Sequence, residues 1–195
     1  MIYGVDIQGM KYGYKICVSG AAEIDICSPK TKELAIETGR EIVRQGAILI
    51  TGATSGIPYL SAVGAKEEKG FSIGFSPAST EKEHIKSYRL PTDKFDLIVY
   101  TGFDYAGRNL LMTRAADAVI IIGGRTGTMN EFTVAFEDEK PIGVLEGSGG
   151  TADLIRILLK HGYRPRTTVV YDTEPKKLVK KVIQLIQREK KINNK

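Results

Sequence analysis

RNLLMTRAADAVIIIGGRTGTMNEFTVAFE, Arg108–Glu137, reads as helix, buried strand, glycine loop and helix. The strand Ala118–Ile122 is apolar on both faces, as in a parallel sheet covered on both sides. It runs straight into Gly123-Gly124-Arg125-Thr126-Gly127-Thr128 and then into an apolar-periodic helix. Backbone amides at such a loop and helix start form a ready phosphate site. Three residues after Thr128 stands a carboxylate, Glu131. A phosphate cradle beside an acid points to chemistry on a phosphorylated small molecule.

Outward from this block, β-branched apolar runs alternate with helical patterns. The strands are expected at Lys15–Ser19, Ala47–Thr51, Ser72–Phe75, Leu97–Thr101, Ala118–Ile122, Ile142–Leu145 and Thr168–Tyr171. Helices are expected near 30–45, 57–69, 105–116, 128–138, 151–161 and 174–191. That alternation predicts an α/β fold: a single Rossmann-like domain over 1–195, with a parallel sheet of about seven strands and helices on both faces. Ser28-Pro29 suits a helix start, and Gly46 and Gly70 suit helix ends. Met1–Tyr14 reads as an edge hairpin, and Pro77–Phe95, with His84, Arg89 and Pro91, as a long irregular loop that covers a site or simply moves.

The bulk composition fits a soluble globular protein: 195 residues, 42% apolar and 26% charged. No apolar run reaches about 18 residues and no leader pattern opens the chain, so a cytoplasmic protein without membrane partners is expected. Cys17 and Cys27 lack metal spacing and read as reduced thiols; with only His84 and His161 besides, no metal site is expected. The net charge of +5 is local. Residues 174–195 hold eight Lys or Arg against Glu174 and Glu189, leaving 20 basic against 21 acidic elsewhere. There Leu178, Val179, Val182, Ile183 and Ile186 recur at helical spacing. The lysines therefore belong on the wet face, and no nucleic-acid partner is expected.

In such sheets ligands sit beyond the carboxyl ends of the strands. Four glycine- or hydroxyl-rich loops fall there: Ser19-Gly20-Ala21, Thr51-Gly52-Ala53-Thr54-Ser55-Gly56, Thr101-Gly102 and Gly123–Thr128. They nominate Ser19, Gly20, Gly52, Thr54, Ser55, Gly56, Gly123, Gly124, Arg125, Thr126, Gly127 and Thr128 as ligand or phosphate contacts. Neither G-x-x-x-x-G-K-[ST] nor a G-x-G-x-x-G after the first strand occurs. Glu131 has two readings. Thr128-x-x-Glu131 fits a capping box that satisfies amides at a helix start; otherwise Glu131 faces the crevice and meets a sugar. Arg108 and Arg114 are six apart and so not on one helix face. Arg108, near its helix start, is placed to clamp a phosphate with its fork. For Arg125, inside the loop, phosphate contact and plain exposure both stand.

The run Arg108-x-x-x-Met112, Ala116-Asp117-Ala118 and Gly124-x-x-Gly127-Thr128-x-x-Glu131 resembles the Lonely Guy (LOG) phosphoribohydrolases. Thr51-Gly52-x-x-Ser55-Gly56-Ile57, and Gly64-Ala65 with Gly70-Phe71-Ser72-Ile73-Gly74, look like that family's second-strand loop and following helix. The likeness spans most of Lys15–Gly147. It implies cleavage of the N-glycosidic bond of nucleoside 5′-monophosphates, cytokinin forms in the family itself, with Glu131 and Arg108 on the two catalytic positions. Gly123 replaces the family's proline, Arg125 a glycine and Asn109 a lysine. These departures resemble a side branch of molybdenum-cofactor carrier proteins and nucleotide-sensing domains. The resemblance thus implies two further readings: a carrier of a phosphorylated cofactor, or a nucleotide sensor. No cofactor is required by the hydrolase reading, whereas the carrier reading implies bound nucleotide or molybdenum cofactor. A homodimer or higher assembly is also implied. The lysine decarboxylase label given to some relatives finds no support, since no feature singles out a lysine for pyridoxal phosphate.

Overall fold

The structure, a computed structural model, describes residues 13–23, 29–162 and 168–193. In chain order the elements are β1 (Lys15–Gly20), α1 (Pro29–Arg44), β2 (Ile48–Thr51), α2 (Ile57–Glu67), β3 (Ser72–Ser76), α3 (Glu81–Lys86) and β4 (Leu97–Tyr100). There follow α4 (Asp104–Ala115), β5 (Ala118–Ile122), α5 (Thr126–Glu137), β6 (Ile142–Leu145), α6 (Gly150–His161), β7 (Val169–Asp172) and α7 (Pro175–Asn193). The seven strands form one sheet in the order β4-β3-β2-β1-β5-β6-β7, every pairing parallel. The α/β, Rossmann-like fold expected from the sequence is therefore present, and strand ends fall within about one residue of their expected places.

Strand β5 shows how the apolar pattern builds the two layers. Successive residues of a strand face opposite ways. Ala118, Ile120 and Ile122 join a core with α1, α2 and α7, whereas Val119 and Ile121 join a second core with α4, α5 and α6. All five are fully buried. Helix α7 contributes Leu178, Val179, Val182 and Ile186 to the first core, and its lysines 176, 177, 180 and 181 are exposed, as the spacing implies.

Helices α1 and α2 approach backbone to backbone. A Cβ at Gly39 would lie 1.9 Å from the Ser61 carbonyl oxygen, and one at Gly64 1.9 Å from that of Ile36. At the end of α1, Gly46 takes the left-handed conformation, φ 72°, that closes many helices. At α2 that residue is Lys69 instead; Gly70 leaves room for the Val43 side chain, 2.1 Å from where its Cβ would be.

The segment Pro77–Phe95 departs from the irregular loop expected. It contains α3, capped by Thr80, whose side chain accepts from the Glu83 amide, while Glu83 accepts from the Ser79 amide and hydroxyl. The segment is pinned by His84, which is fully buried, its Nδ1 2.8 Å from Ser76 Oγ and its Nε2 3.1 Å from the Pro91 carbonyl oxygen. The Pro91 carbonyl can only accept, so Nε2–H donates to it, while Ser76 Oγ also accepts from the Ala78 amide. The Met1–Tyr14 hairpin falls mostly, and Ser28 and Cys27 wholly, outside the described residues. No helix among the described residues is long and apolar enough to cross a membrane.

Candidate functional site

The chain leaves β1 toward β2, β3 and β4 on one side, and returns at β5 to run through β6 and β7 on the other. The loops after β1 and β5 therefore diverge, and a crevice opens between them at the carboxyl edge, where ligands of such sheets bind. A cleft of about 330 Å³ occupies this place. Its walls come from Ser19–Glu23 at the end of β1 and just beyond it, from Gly52 and Thr54 after β2, from the first turns of α4 and from Arg125–Thr128 and Glu131.

Helix α5 supplies the polar floor. It begins at Thr126, and its cap residue, Arg125, makes no side-chain hydrogen bond to the first turn. The first amides of a helix have no partner within it and carry the positive end of its dipole. Those of Thr126, Gly127 and Thr128 belong to residues lining the cleft. Because the helix starts two residues earlier than expected, Thr128 lies inside its first turn and cannot act as a cap. The capping-box reading of Glu131 is therefore overturned.

Glu131 instead occupies the inward stripe of α5, with Thr128, Phe132, Ala135 and Phe136, where an apolar residue would normally stand. It is 6% exposed. Its Oε1 accepts from Arg108 Nη1 at 3.0 Å, and its Oε2 accepts a short hydrogen bond from Ser19 Oγ. Arg108, 4% exposed, sits on the inward face of α4 with Met112, whose sulfur lies 3.6 Å from the same Nη1. Its Nε–H is buried without a protein partner. Gly52 makes room for the guanidinium: a Cβ there would fall 2.3 Å from Nη1. Burial pushes the Glu131 carboxyl up from the ordinary range, while Arg108 and the Ser19 hydrogen bond hold it down. Burial, and then the charge of Glu131, push the Cys17 thiol on β1 strongly upward, so it stays protonated.

The two arginines raised with Arg108 have other uses. Arg114 pairs with Asp138 at 2.9 Å on the surface. Arg125 grips Glu23 through both nitrogens, at 2.8 and 2.9 Å, joining the loops after β1 and β5 at the cleft rim. Of the remaining nominated contacts, Ser19, Gly20, Gly52, Thr54, Thr126, Gly127 and Thr128 line the cleft, and Ser55, Gly56, Gly123 and Gly124 do not. Those four brace it. The Gly123 amide donates to Ser148 Oγ, and the Gly123 and Gly124 carbonyls accept from the Ala152 and Thr151 amides of α6. Ser55 Oγ donates to the Ala22 carbonyl, and a side chain at Gly56 would strike the Ala21 carbonyl at 2.2 Å. Tyr105, Asn109, Pro58 and Glu23 line the cleft without having been nominated. Tyr105 was legible in principle, one helical turn before Arg108 on the same face.

A larger cleft, about 590 Å³, opens at the opposite, amino-terminal edge of the sheet. Its cations are committed within the protein: Lys15 and Lys190 pair with Asp117, and Lys140 donates to the Arg114 and Ala116 carbonyls. It also lacks the helix start and the position at the strand reversal. The described residues contain no group of three or more His, Cys, Asp or Glu that could hold a metal ion.

Residues 13–179 match the model of the SLOG cluster4 family. The chain belongs to this family. A relative from Archaeoglobus fulgidus, an uncharacterized protein, is 30% identical over 132 residues, covering 68% of this chain and 80% of its own. Among solved structures, the molybdenum cofactor binding protein of the phototrophic bacterium Rippkaea orientalis superposes with a TM-score of 0.75 at 25% identity, over 90% of this chain and 99% of that one. The molybdenum cofactor carrier protein of Chlamydomonas reinhardtii does so with a TM-score of 0.71 at 24% identity, over 89% and 98%, and shows likeness of fold. The SLOG protein thus stands in the LOG-like superfamily, beside the molybdenum-cofactor carrier branch that Gly123, Arg125 and Asn109 suggested. In this SLOG member Asn109 takes a structural part where the LOG pattern has lysine, its Nδ2 donating to Asn130 Oδ1 at 3.0 Å across α4 and α5.

Proposed function

We propose that this SLOG protein binds a phosphorylated, nucleotide-like small molecule in the cleft between β1 and β5, and that it hydrolyses the N-glycosidic bond of nucleoside 5′-monophosphates. The observation that carries this reading is the buried Arg108–Glu131 pair, held at the floor of a cleft that also receives the uncapped start of α5. The 5′-phosphate sits on the amides of Thr126, Gly127 and Thr128, with Arg125 at the rim exchanging Glu23 for it. Glu131, fixed by Ser19 and Arg108, retains carboxylate lone pairs for the ribose hydroxyls or an attacking water. It stabilises the positive charge that develops on the sugar as the bond to the base stretches. The C1′–N bond breaks, water oxygen bonds to C1′, and the proton released by water goes to the departing base. The products are free base and ribose 5-phosphate.

A second reading, carriage of a phosphorylated cofactor without turnover, is favoured by the likeness to the Rippkaea orientalis molybdenum cofactor binding protein. The same amides and Arg125 would hold the cargo by its phosphate. We extend the proposal to a homodimer or higher assembly in the cytoplasm. The outer faces of α4 and α6 support assembly, with Leu110, Leu111, Leu154, Ile157 and Leu158 each more than a third exposed. The proposal includes no nucleic-acid partner: three lysines of α7, Lys177, Lys181 and Lys190, are paired with Glu174, Asp172 and Asp117, and Lys176, Lys180 and Lys191 lie on its wet face.

The test is a panel of nucleoside 5′-monophosphates assayed for ribose 5-phosphate. Release from at least one is expected. Tight binding with no release from any, on folded protein, overturns the hydrolase reading and leaves the carrier.

A further inference from the structure

The cleft holds one large aromatic side chain, and nothing above gives it a role. Tyr105 stands in the first turn of α4, is 48% exposed, and lines the cleft. It lies one turn before Arg108 on the same helix face, and the Arg108 guanidinium carbon sits over its ring, 5.8 Å from the centroid. Its ring is braced. The Tyr88 ring packs against it in a T-shaped pair, centroids 5.7 Å apart at 78°, and the Tyr88 hydroxyl is tied by a short hydrogen bond to Asp104. Tyr88 in turn belongs to the segment that fully buried His84 fastens to Ser76 and Pro91. The segment 77–95 therefore acts as a bracket for the ring. With Arg108 over one side of it and Tyr88 packed at a steep angle, the ring is held in place, and the half that stays exposed borders the cleft where a ligand can meet it. The cleft lining also includes Ala21, Ala22 and Pro58, which are small and uncharged. Flat heteroaromatic rings stack on aromatic side chains whatever their hydrogen-bonding pattern. The cleft thus joins an anion site at α5, a carboxylate and hydroxyl in the middle, and an aromatic wall on α4.

We infer that Tyr105 is the stacking platform for a planar heteroaromatic ring, so that the ligand is a ring-bearing phosphate, a nucleobase or pterin compound, and not a bare sugar phosphate. This rests on the reading of the cleft as a phosphate site. Tyr105 acts on affinity and on selection between ligands, through the ring and not the phosphate.

The experiment compares wild type, Tyr105→Ala and Tyr105→Phe by titration calorimetry against three probes: adenosine 5′-monophosphate, neopterin monophosphate and ribose 5-phosphate. Tyr105→Ala is expected to weaken at least one ring-bearing probe by roughly ten- to a hundredfold. Tyr105→Phe keeps that affinity within about threefold, since the ring face remains. Ribose 5-phosphate affinity stays the same in all three proteins. Which ring-bearing probe responds tells nucleobase from pterin. Equal weakening of ribose 5-phosphate would show that Tyr105 only supports the phosphate site, and unchanged affinity for both ring-bearing probes would show no stacking; either overturns the inference. If none of the probes binds folded wild type, the phosphate-site reading itself fails and takes this one with it.

Discussion

Glu131→Gln is expected to lower kcat for release of base by about 10²–10⁴-fold, while the nucleotide still binds with affinity changed only a few-fold. Glutamine keeps the shape and one acceptor for Arg108 Nη1, which Glu131 Oε1 meets at 3.0 Å. It cannot carry the negative charge that faces the sugar in the transition state. The pH profile separates this from simple damage to the fold. The active form is the carboxylate, whose protonation burial favours. In wild type kcat/KM therefore rises with pH through a value above the ordinary glutamate range of about 4.3 and then levels. That limb is absent from the residual activity of Glu131→Gln. Unchanged turnover in this variant, measured as ribose 5-phosphate released, overturns the role given to Glu131.

Arg108→Met is expected to cost about 3–5 kcal/mol of stability near neutral pH, because it strands a buried carboxylate without its cation. The pair is 5% and 9% exposed at the side chains, so solvent does little to compensate. The pH dependence has a definite sign. Arg108 is a pull that lowers the Glu131 pKa against burial, so its loss lets that pKa climb further. A carboxyl with a raised pKa in the folded state holds its proton when the unfolded chain has released its own. Stability then falls as pH rises past the unfolded value of about 4.3, and the deficit against wild type shrinks toward pH 4. Urea denaturation of both proteins at pH 4 and pH 7.5 measures it. An equal deficit at both pH values would mean that the loss is one of packing against Met112, not of charge.

The sheet was legible because its signals are local. Ala118–Ile122 must be buried on both faces, and the glycine loop after it must turn at the carboxyl edge; neither depends on a distant partner. The long polar stretch 77–95 was misread because its organising residue acts at a distance. His84 earns its burial from Ser76 and Pro91, and no periodicity announces that. Its capping box, Thr80 with Glu83, was the same pattern that was sought at Thr128 with Glu131. The pattern held at Thr80 because Thr80 precedes its helix, and failed at Thr128 because α5 starts at Thr126. For Glu131 a better sign lay in the helix itself, a charge on the stripe Thr128, Phe132, Ala135 and Phe136. The three-way contact of Glu131 with Ser19 and Arg108 joins three elements across 112 and 23 residues of chain, and only folding brings them together. Gly52 shows the same limit. Its loop composition marked it as a backbone contact, while its missing side chain makes room for Arg108.

The most direct measurement is a crystal structure of the protein with ribose 5-phosphate. Phosphate oxygens are expected about 2.7–3.2 Å from the amides of Thr126, Gly127 and Thr128, with the sugar hydroxyls toward Glu131 and Arg125 turned from Glu23 to the phosphate. Phosphate bound instead among Lys15, Lys140 and Lys190 at the opposite edge of the sheet, with the crevice between β1 and β5 empty, would contradict it.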